Sequence, residues 1–408
     1  MQTDCLQSEI CLMINRIQEH MIRRICVVTP YFPTEKEPYL FPFVDQLVCA
    51  LADQGIEVSV ITPHDALKEK EFKDSFWTRK TPLGKSVPVY SPAVLTMTTR
   101  KLGFLNMSLI SEKLFNSAVR KTIRKNGLKP DLLYAHFLFP AGTCAAAVGK
   151  KLGIPSVCAF GESSLWSIRE IGPEGARKRL SSLSGVIAVS TNNKNVLIEN
   201  KLVPEEKITV IPNAVNKKIF RPGDRKETRK KLGLPEDGVI GIYNGSFNKD
   251  KGSLRVSEAA EDIEGLSMIY LGGGKDVPQG SNILFQGRVA HEDVSTWLQA
   301  ADFFVLPTLA EGCCNAIVEA MSTGLPIITS DKPFNYDILD HESGVLVDPM
   351  NIAEIHTAMV RMTESEKLRK KLGEASLKKS EDLDINKRAE RIIAYLETVK
   401  KSLSEQNI

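Results

Sequence analysis

The sequence predicts an α/β protein built from two doubly wound, Rossmann-like domains of similar size that face each other across a cleft. Three observations carry this reading. Short apolar runs rich in β-branched residues alternate with helical stretches along the chain. The runs are continuous rather than alternating, as in parallel strands covered on both faces. One stretch rich in Pro, Gly and charge, residues 216–238, interrupts the series before a second one begins. The length of 408 residues also suits two domains.

The elements follow in order. ICVVTP (25–30) reads as a buried strand, FVDQLVCALADQG (43–55) as an amphipathic helix closed by a glycine, and EVSVITP (57–63) as a second strand. DLLYAHF (131–137), PSVCAF (155–160), GVIAVS (185–190) and ITVIPNAV (208–215) continue the series. After the break come GVIGIYNG (238–245), LSMIYLGGG (266–274), SNILFQG (281–287), DFFVLP (302–307), LPIITS (325–330) and GVLVDP (344–349). Helices are expected around 293–300 and from near Cys314, and residues 384–403 read as a long amphipathic helix. Residues 1–22 read as an amphipathic extension. The expected division is 1–215, 216–385, and a C-terminal helix over 386–408 placed to cross back to the first domain.

Composition removes several classes of function. The net charge is only +3, so nothing global calls for nucleic acid. The first 200 residues carry about 25 Lys and Arg against about 18 Asp and Glu, which leaves the remainder mildly acidic. The eight cysteines include no C-x-x-C and lie mostly in apolar runs, the pattern of reduced thiols in a cytoplasmic protein. No run of about 18 apolar residues suggests a membrane span, and the N-terminus lacks the plan of a signal peptide. The loop after the first strand has no G-x-G-x-x-G, and neither a P-loop, an H-E-x-x-H nor a G-x-S-x-G occurs.

The candidate chemistry follows strands, where ligands bind in this architecture. YNGSFNKDKG (243–252) holds Ser246, Lys249 and Lys251 in a glycine-flanked turn that can bring an ammonium to a phosphate. After FVLP comes AEGCCNAIVEAMSTG (310–324). Glu311 lies in its loop, and Gly312, Cys313, Cys314 and Asn315 offer free backbone N–H groups at a helix start. Glu319 lies about one turn inside, where a carboxylate can hold a vicinal diol such as a ribose. A thiol at a helix start can be acidified, although small size is reason enough for Cys313 and Cys314 there. His136 closes a first-domain strand and can bond a reacting group.

Taken together, these segments resemble glycosyltransferase family 4, whose members have the GT-B fold. The resemblance runs through VVTPYFPTEKEP, YAHFLFPAG, VIPNAVNKKIF and YNGSFNKDKG to the E-x7-E of Glu311 and Glu319 followed by E-A-M-x-x-G-x-P, with an exopolysaccharide or teichuronic-acid flavour. It implies retaining transfer from a UDP- or GDP-linked sugar to a glycan or lipid-linked acceptor, with no cofactor and no metal. It implies Glu311 on the transferred sugar, Glu319 on the ribose, Lys251 on the diphosphate, the amides of residues 312–315 facing sugar and diphosphate, His136 beside the reacting sugar, and Gly287, Arg288 and Val289 reading the base. The chain departs from the family pattern at Ser246, where an arginine is usual and for which Lys249 can supply charge. It departs also at Phe41 and Ala214, where glycines are usual, at Asn216, where an acid is usual, and at Phe160, where a histidine is common. These departures motivate an alternative, a degenerate GT-B protein that binds a partner or glycan without turnover. Residues 100–129 hold eight basic residues (Arg100, Lys101, Lys113, Arg120, Lys121, Arg124, Lys125, Lys129) against Glu112, with Leu102, Phe104, Leu105, Leu109, Leu114 and Phe115 interleaved. That pattern predicts peripheral contact with an anionic membrane.

Overall fold

The computed structural model describes residues 21–406 apart from 38–39, 69, 71, 96–100, 103–104 and 170. The expected extension over 1–22 lies outside them up to residue 20, as do Arg100 and Phe104 of the basic segment.

The first unit runs β1 (Arg24–Val28), α1 (Pro42–Asp53), β2 (Glu57–Ile61), β3 (Ser75–Lys80), β4 (Ser86–Ser91), α2 (Met107–Lys125), β5 (Leu132–His136), α3 (Thr143–Leu152), β6 (Ser156–Phe160), α4 (Gly172–Leu180), β7 (Gly185–Ala188), α5 (Thr191–Glu199) and β8 (Ile208–Val210). Its eight-stranded sheet has the order β8-β7-β6-β5-β1-β2-β4-β3. All neighbours are parallel except the edge pair β3 and β4. The apolar runs are continuous because both faces are covered. Val27, Val60, Leu132 and Tyr134 join one core with α1, while Cys26, Val28, Leu133 and Ala135 join a second with α2 and α3.

The second unit runs α6 (Arg225–Leu232), β9 (Val239–Asn244), α7 (Ser253–Ala260), β10 (Leu266–Leu271), β11 (Ile283–Gly287), α8 (His291–Ala300), β12 (Phe303–Leu306), α9 (Asn315–Ser322), β13 (Ile327–Ser330), β14 (Gly344–Val347), α10 (Ile352–Glu364) and α11 (Glu366–Lys379). Its six strands are all parallel, in the order β11-β10-β9-β12-β13-β14. Each sheet reverses its winding once, between β1 and β5 and between β9 and β12. The loops leaving these switch points are where an open sheet offers a crevice.

The last helix, α12 (Ile385–Gln406), leaves the second unit and packs on the first. Ile385, Ala389, Ile392, Leu396 and Val399 form its apolar stripe and share a core with Leu47, Val48 and Leu51 of α1. The crossing is tied by backbone pairing. Val215 N–H donates to Leu383 (3.0 Å), and Ile385 N–H donates back to Val215 (3.0 Å).

The basic segment divides differently from its sequence reading. On α2, Phe115, Val119 and Ile123 are buried in the core, so Phe115 is not part of a basic surface. Glu112 is buried too, and Arg179 Nε donates to it at 2.9 Å. Lys113, Leu114, Lys121, Arg124 and Lys125 remain exposed.

Candidate active site

A cleft of about 510 Å³ opens between the carboxyl ends of the two sheets. A neighbouring hollow of about 300 Å³ shares Phe43, Asn244, Asn315 and Ala316 with it. The larger space is lined by His136, Ser246, Lys251, Glu311, Gly312, Cys313, Cys314 and Asn315. The smaller is lined by Glu319 and Val289. The two carboxylates of the E-x7-E spacing therefore face different compartments on either side of the start of α9.

His136 ends β5 and is 4% exposed, with Nε2 lacking any hydrogen-bond partner. Burial, and secondarily the Arg388 guanidinium, push its pKa down to about 3. The ring is thus neutral at physiological pH and presents one open hydrogen-bonding nitrogen. Phe137 follows with φ 74° and ψ 145°, a positive-φ backbone uncommon outside glycine, which ends the strand at this point.

Lys251 precedes the glycine that caps α7, and its N–H donates to Asn248 Oδ1 at 2.8 Å. Its ammonium is ion-paired with Glu311. Burial opposes that charge, but the Glu311 carboxylate outweighs it and holds the lysine above its ordinary range.

Cys314 is the N-cap of α9 without a side-chain cap bond, and Cys314, Asn315 and Ala316 at the start of this eight-residue helix line the cleft. Gly312 is required by a close approach: a Cβ there would lie 2.2 Å from the Gly161 carbonyl oxygen of the first unit. The Asn213 side-chain amide ties the same loop by donating to the Cys313 carbonyl at 3.0 Å. Burial drives the Cys313 thiol up to about 12 and Cys314 well above its usual value, which overrides any acidification by the helix start.

Glu319 is 6% exposed. His291 Nε2 lies 3.2 Å from its Oε1, and Asn244 Nδ2 donates to Oε2 at 3.5 Å. The hydrogen bond with Glu319 lifts His291 above the ordinary histidine range, against the effect of burial.

Lys249 and Arg288 are not brought to either space. Lys249 is exposed, with its carbonyl accepting from Arg255 Nη1 at 2.7 Å. Arg288 is exposed and folds over the backbone of Gly273. Conversely, sequence reasoning missed Glu162, Asn213, Asn244, His291 and Arg388. Glu162 lines the cleft at 5% exposure, and burial lifts its carboxyl to about 7. Arg388 gave one overlooked signal: an arginine sits beside the apolar stripe of the final helix.

Residues 42–218 match the family model Glycosyltransferase Family 4, and residues 224–379 match Glycosyl transferases group 1. The chain belongs to the GT-B glycosyltransferases. This glycosyltransferase is 27% identical over 353 residues to TuaC of Bacillus subtilis, described as a teichuronic acid biosynthesis glycosyltransferase; the match spans 83% of this chain and 88% of that one. It is 28% identical over 291 residues to an Escherichia coli UDP-Gal:alpha-D-GlcNAc-diphosphoundecaprenol alpha-1,3-galactosyltransferase, spanning 64% of this chain and 73% of that one. Among solved structures, sucrose-phosphate synthase from Thermosynechococcus elongatus superposes with a TM-score of 0.71 at 18% identity, over 93% of this glycosyltransferase and all of that chain. Anabaena HepE in complex with UDP superposes with a TM-score of 0.68 at 15% identity, over 92% and 100%. At these identities the structural likeness is one of fold.

Proposed function

We propose that the protein is a retaining glycosyltransferase that moves a sugar from a UDP- or GDP-linked donor to a glycan or lipid-linked acceptor in cell-surface polysaccharide synthesis. The observation that carries this is the division of Glu311 and Glu319 between two joined hollows, with His136 across the larger one. The nucleoside occupies the smaller hollow beside Val289, with its ribose diol on Glu319. The diphosphate lies at the N–H groups of α9, and the sugar extends between Glu311 and His136. Two similar proteins support the choice of substrates: the Escherichia coli relative is named for UDP-galactose and a diphosphoundecaprenol-linked sugar, and HepE has been captured with UDP-glucose.

In the transfer, the bond from the anomeric carbon to the phosphate oxygen breaks while the acceptor oxygen bonds the same face of that carbon. The acceptor's proton passes to the departing phosphate. Charge developing on the leaving group meets preorganised backbone N–H groups and a cation, with no metal assigned to the step. His136, being neutral, acts as a hydrogen-bonding group on the sugar. Turnover is therefore expected to survive EDTA; its loss, with recovery on adding a divalent cation, would remove the metal-free assignment.

The degenerate-binder alternative is not favoured by relatives named as transferases, and one of its motives, Phe41, takes a glycine-like backbone while its ring still lines the cleft. This residue holds φ 49° and ψ 55°, the left-handed conformation a glycine would supply, and its ring stacks on Tyr31 at 4.7 Å. The exposed basic residues of α2 are assigned to an anionic lipid surface that presents the acceptor. Failure to sediment with anionic vesicles at low salt would remove that assignment.

A thermal-shift screen of UDP- and GDP-sugars tests the central reading. A donor at 100 times its Kd is expected to add about 2.7 kcal/mol of stability. Absence of a shift with every such sugar would sink it. His136→Ala and Glu311→Ala are expected to depress kcat far more than nucleotide affinity, and Glu319→Ala the reverse.

A further inference from the structure

The start of α12 is pinned where the chain crosses between the two units. Asp384 pairs with Val215, and its Oδ1 accepts from the N–H groups of Asn386 and Lys387 at 2.8 and 3.3 Å. Arg388 N–H donates to the Asp384 carbonyl at 2.9 Å, so its side chain leaves the first turn of this fixed helix. That side chain lines the larger cleft and is 4% exposed. Its Nε has no hydrogen-bond partner, and among the described residues it forms no ion pair. It shares the cleft lining with His136 of the first unit and Cys313 of the second, and the ionisations of Tyr134, His136 and Cys313 all feel its charge.

A guanidinium does not lose its proton in a protein, and a buried one without an anion is unfavourable. Among the described residues, two cations line this cleft, Lys251 and Arg388. Lys251 is neutralised by Glu311. Ser246, on the turn that carries Lys251, brings only a hydroxyl. A nucleoside diphosphate brings two to three negative charges into the same space. Among the described residues Arg388 is the uncommitted cation there, and its planar fork matches phosphoryl oxygens bidentately.

We propose that Arg388 is a ligand of the donor's diphosphate, delivered to the cleft by the C-terminal helix. The proposal rests on the glycosyl-transfer reading above and deepens it: the leaving group is received from the first-domain side by Arg388 as well as at α9.

Calorimetric titration with UDP, GDP, uridine, guanosine and inorganic pyrophosphate tests this on the full chain. The wild type is expected to bind one nucleoside diphosphate more tightly than the matching nucleoside. Arg388→Gln is expected to weaken that nucleoside diphosphate, and pyrophosphate, at least about tenfold while leaving the nucleoside unchanged, and Arg388→Lys to recover part of the loss. Arg388→Met removes a buried unpaired charge, so its ligand-free melting temperature is expected to match or exceed the wild type while its shift with nucleoside diphosphate shrinks. Equal weakening of nucleoside and nucleoside diphosphate, or an unchanged nucleoside diphosphate Kd, overturns the assignment. An unchanged Kd with a raised KM for a phosphate-bearing acceptor also overturns it, because the anion then belongs to the acceptor. If the wild type binds neither UDP nor GDP, the glycosyl-transfer reading fails first and this inference with it.

Discussion

At the scale of single residues, two histidines titrate in opposite senses. His291 is raised by its bond to Glu319, so its contribution to stability is fully present below the unfolded value of 6.5 and is lost as pH climbs through its higher folded value. His291→Asn is expected to flatten the dependence of melting temperature on pH just above 6.5. An unchanged profile would mean the pair is not formed in solution. His136 is depressed to about 3 by burial, so between pH 6.5 and 3 the unfolded chain takes up a proton that the folded one refuses. Stability is lost as pH falls through that window, and His136→Gln is expected to lose less between pH 7 and 5 than the wild type. Glu311, Glu319 and His136 were legible in the sequence because each follows a strand or sits at fixed helix spacing, which fixes the backbone they hang from. Lys249 and Arg288 show where that reasoning ends. Their backbone lies close to the site, but a long exposed side chain goes where packing sends it. Arg388 was illegible for the opposite reason. The final helix was expected to return to the first domain, but an arginine beside its apolar stripe does not say that its side chain, 77 residues after Glu311, reaches the same cleft.

At the scale of elements, the parallel strands were readable because residues buried on both faces write an unbroken apolar run. The edge pair β3 and β4 was not, since its exposed, charged strand SFWTRK and the proline in SVPVYS carry no such run. The second sheet has its own structural lock away from the cleft. Asp302, at the start of β12, accepts from Arg229 Nη2 (2.5 Å), Arg225 Nη1 (2.7 Å) and the Ile240 N–H (2.7 Å), and Arg229 and Asp302 are both buried. Asp302→Ala leaves Arg229 uncompensated and is expected to cost about 3–5 kcal/mol of stability without a selective effect on nucleotide affinity. A neutral result in urea unfolding would show that the network contributes nothing net. The loop before α9 behaves differently. Gly312→Ala drives a methyl into the Gly161 carbonyl and displaces the helix start relative to His136, and a misplacement on the order of 1 Å is expected to lower kcat/KM about 100-fold. Activity within a few-fold of wild type would mean the two loops part freely.

At the scale of the whole molecule, the two winding domains, their cleft and a final helix returning to the first domain were expected from alternation, one break and a terminal amphipathic stretch, but the contacts that join the units were not. Thr191 donates its N–H and hydroxyl to the two carboxylate oxygens of Asp337 at 2.7 and 2.6 Å, and the Val215 crossing adds backbone bonds. The larger tie is α12. Ile392, Leu396 and Val399 complete a core that otherwise belongs to strands near the other end of the chain. A chain ending at residue 384 is expected to lose the first unit's calorimetric transition and to keep the second's. Two intact transitions would show that the helix is an ornament.

That arrangement has a consequence for biosynthesis. Translation proceeds from the amino end, so the Leu47, Val48 and Leu51 surface emerges from the ribosome long before its cover exists. The later-made sheet can settle first, and the earlier-made one must wait, partly uncovered, for the final 22-residue helix. Nascent chains stalled just before residue 385 should therefore be the species that recruits chaperones.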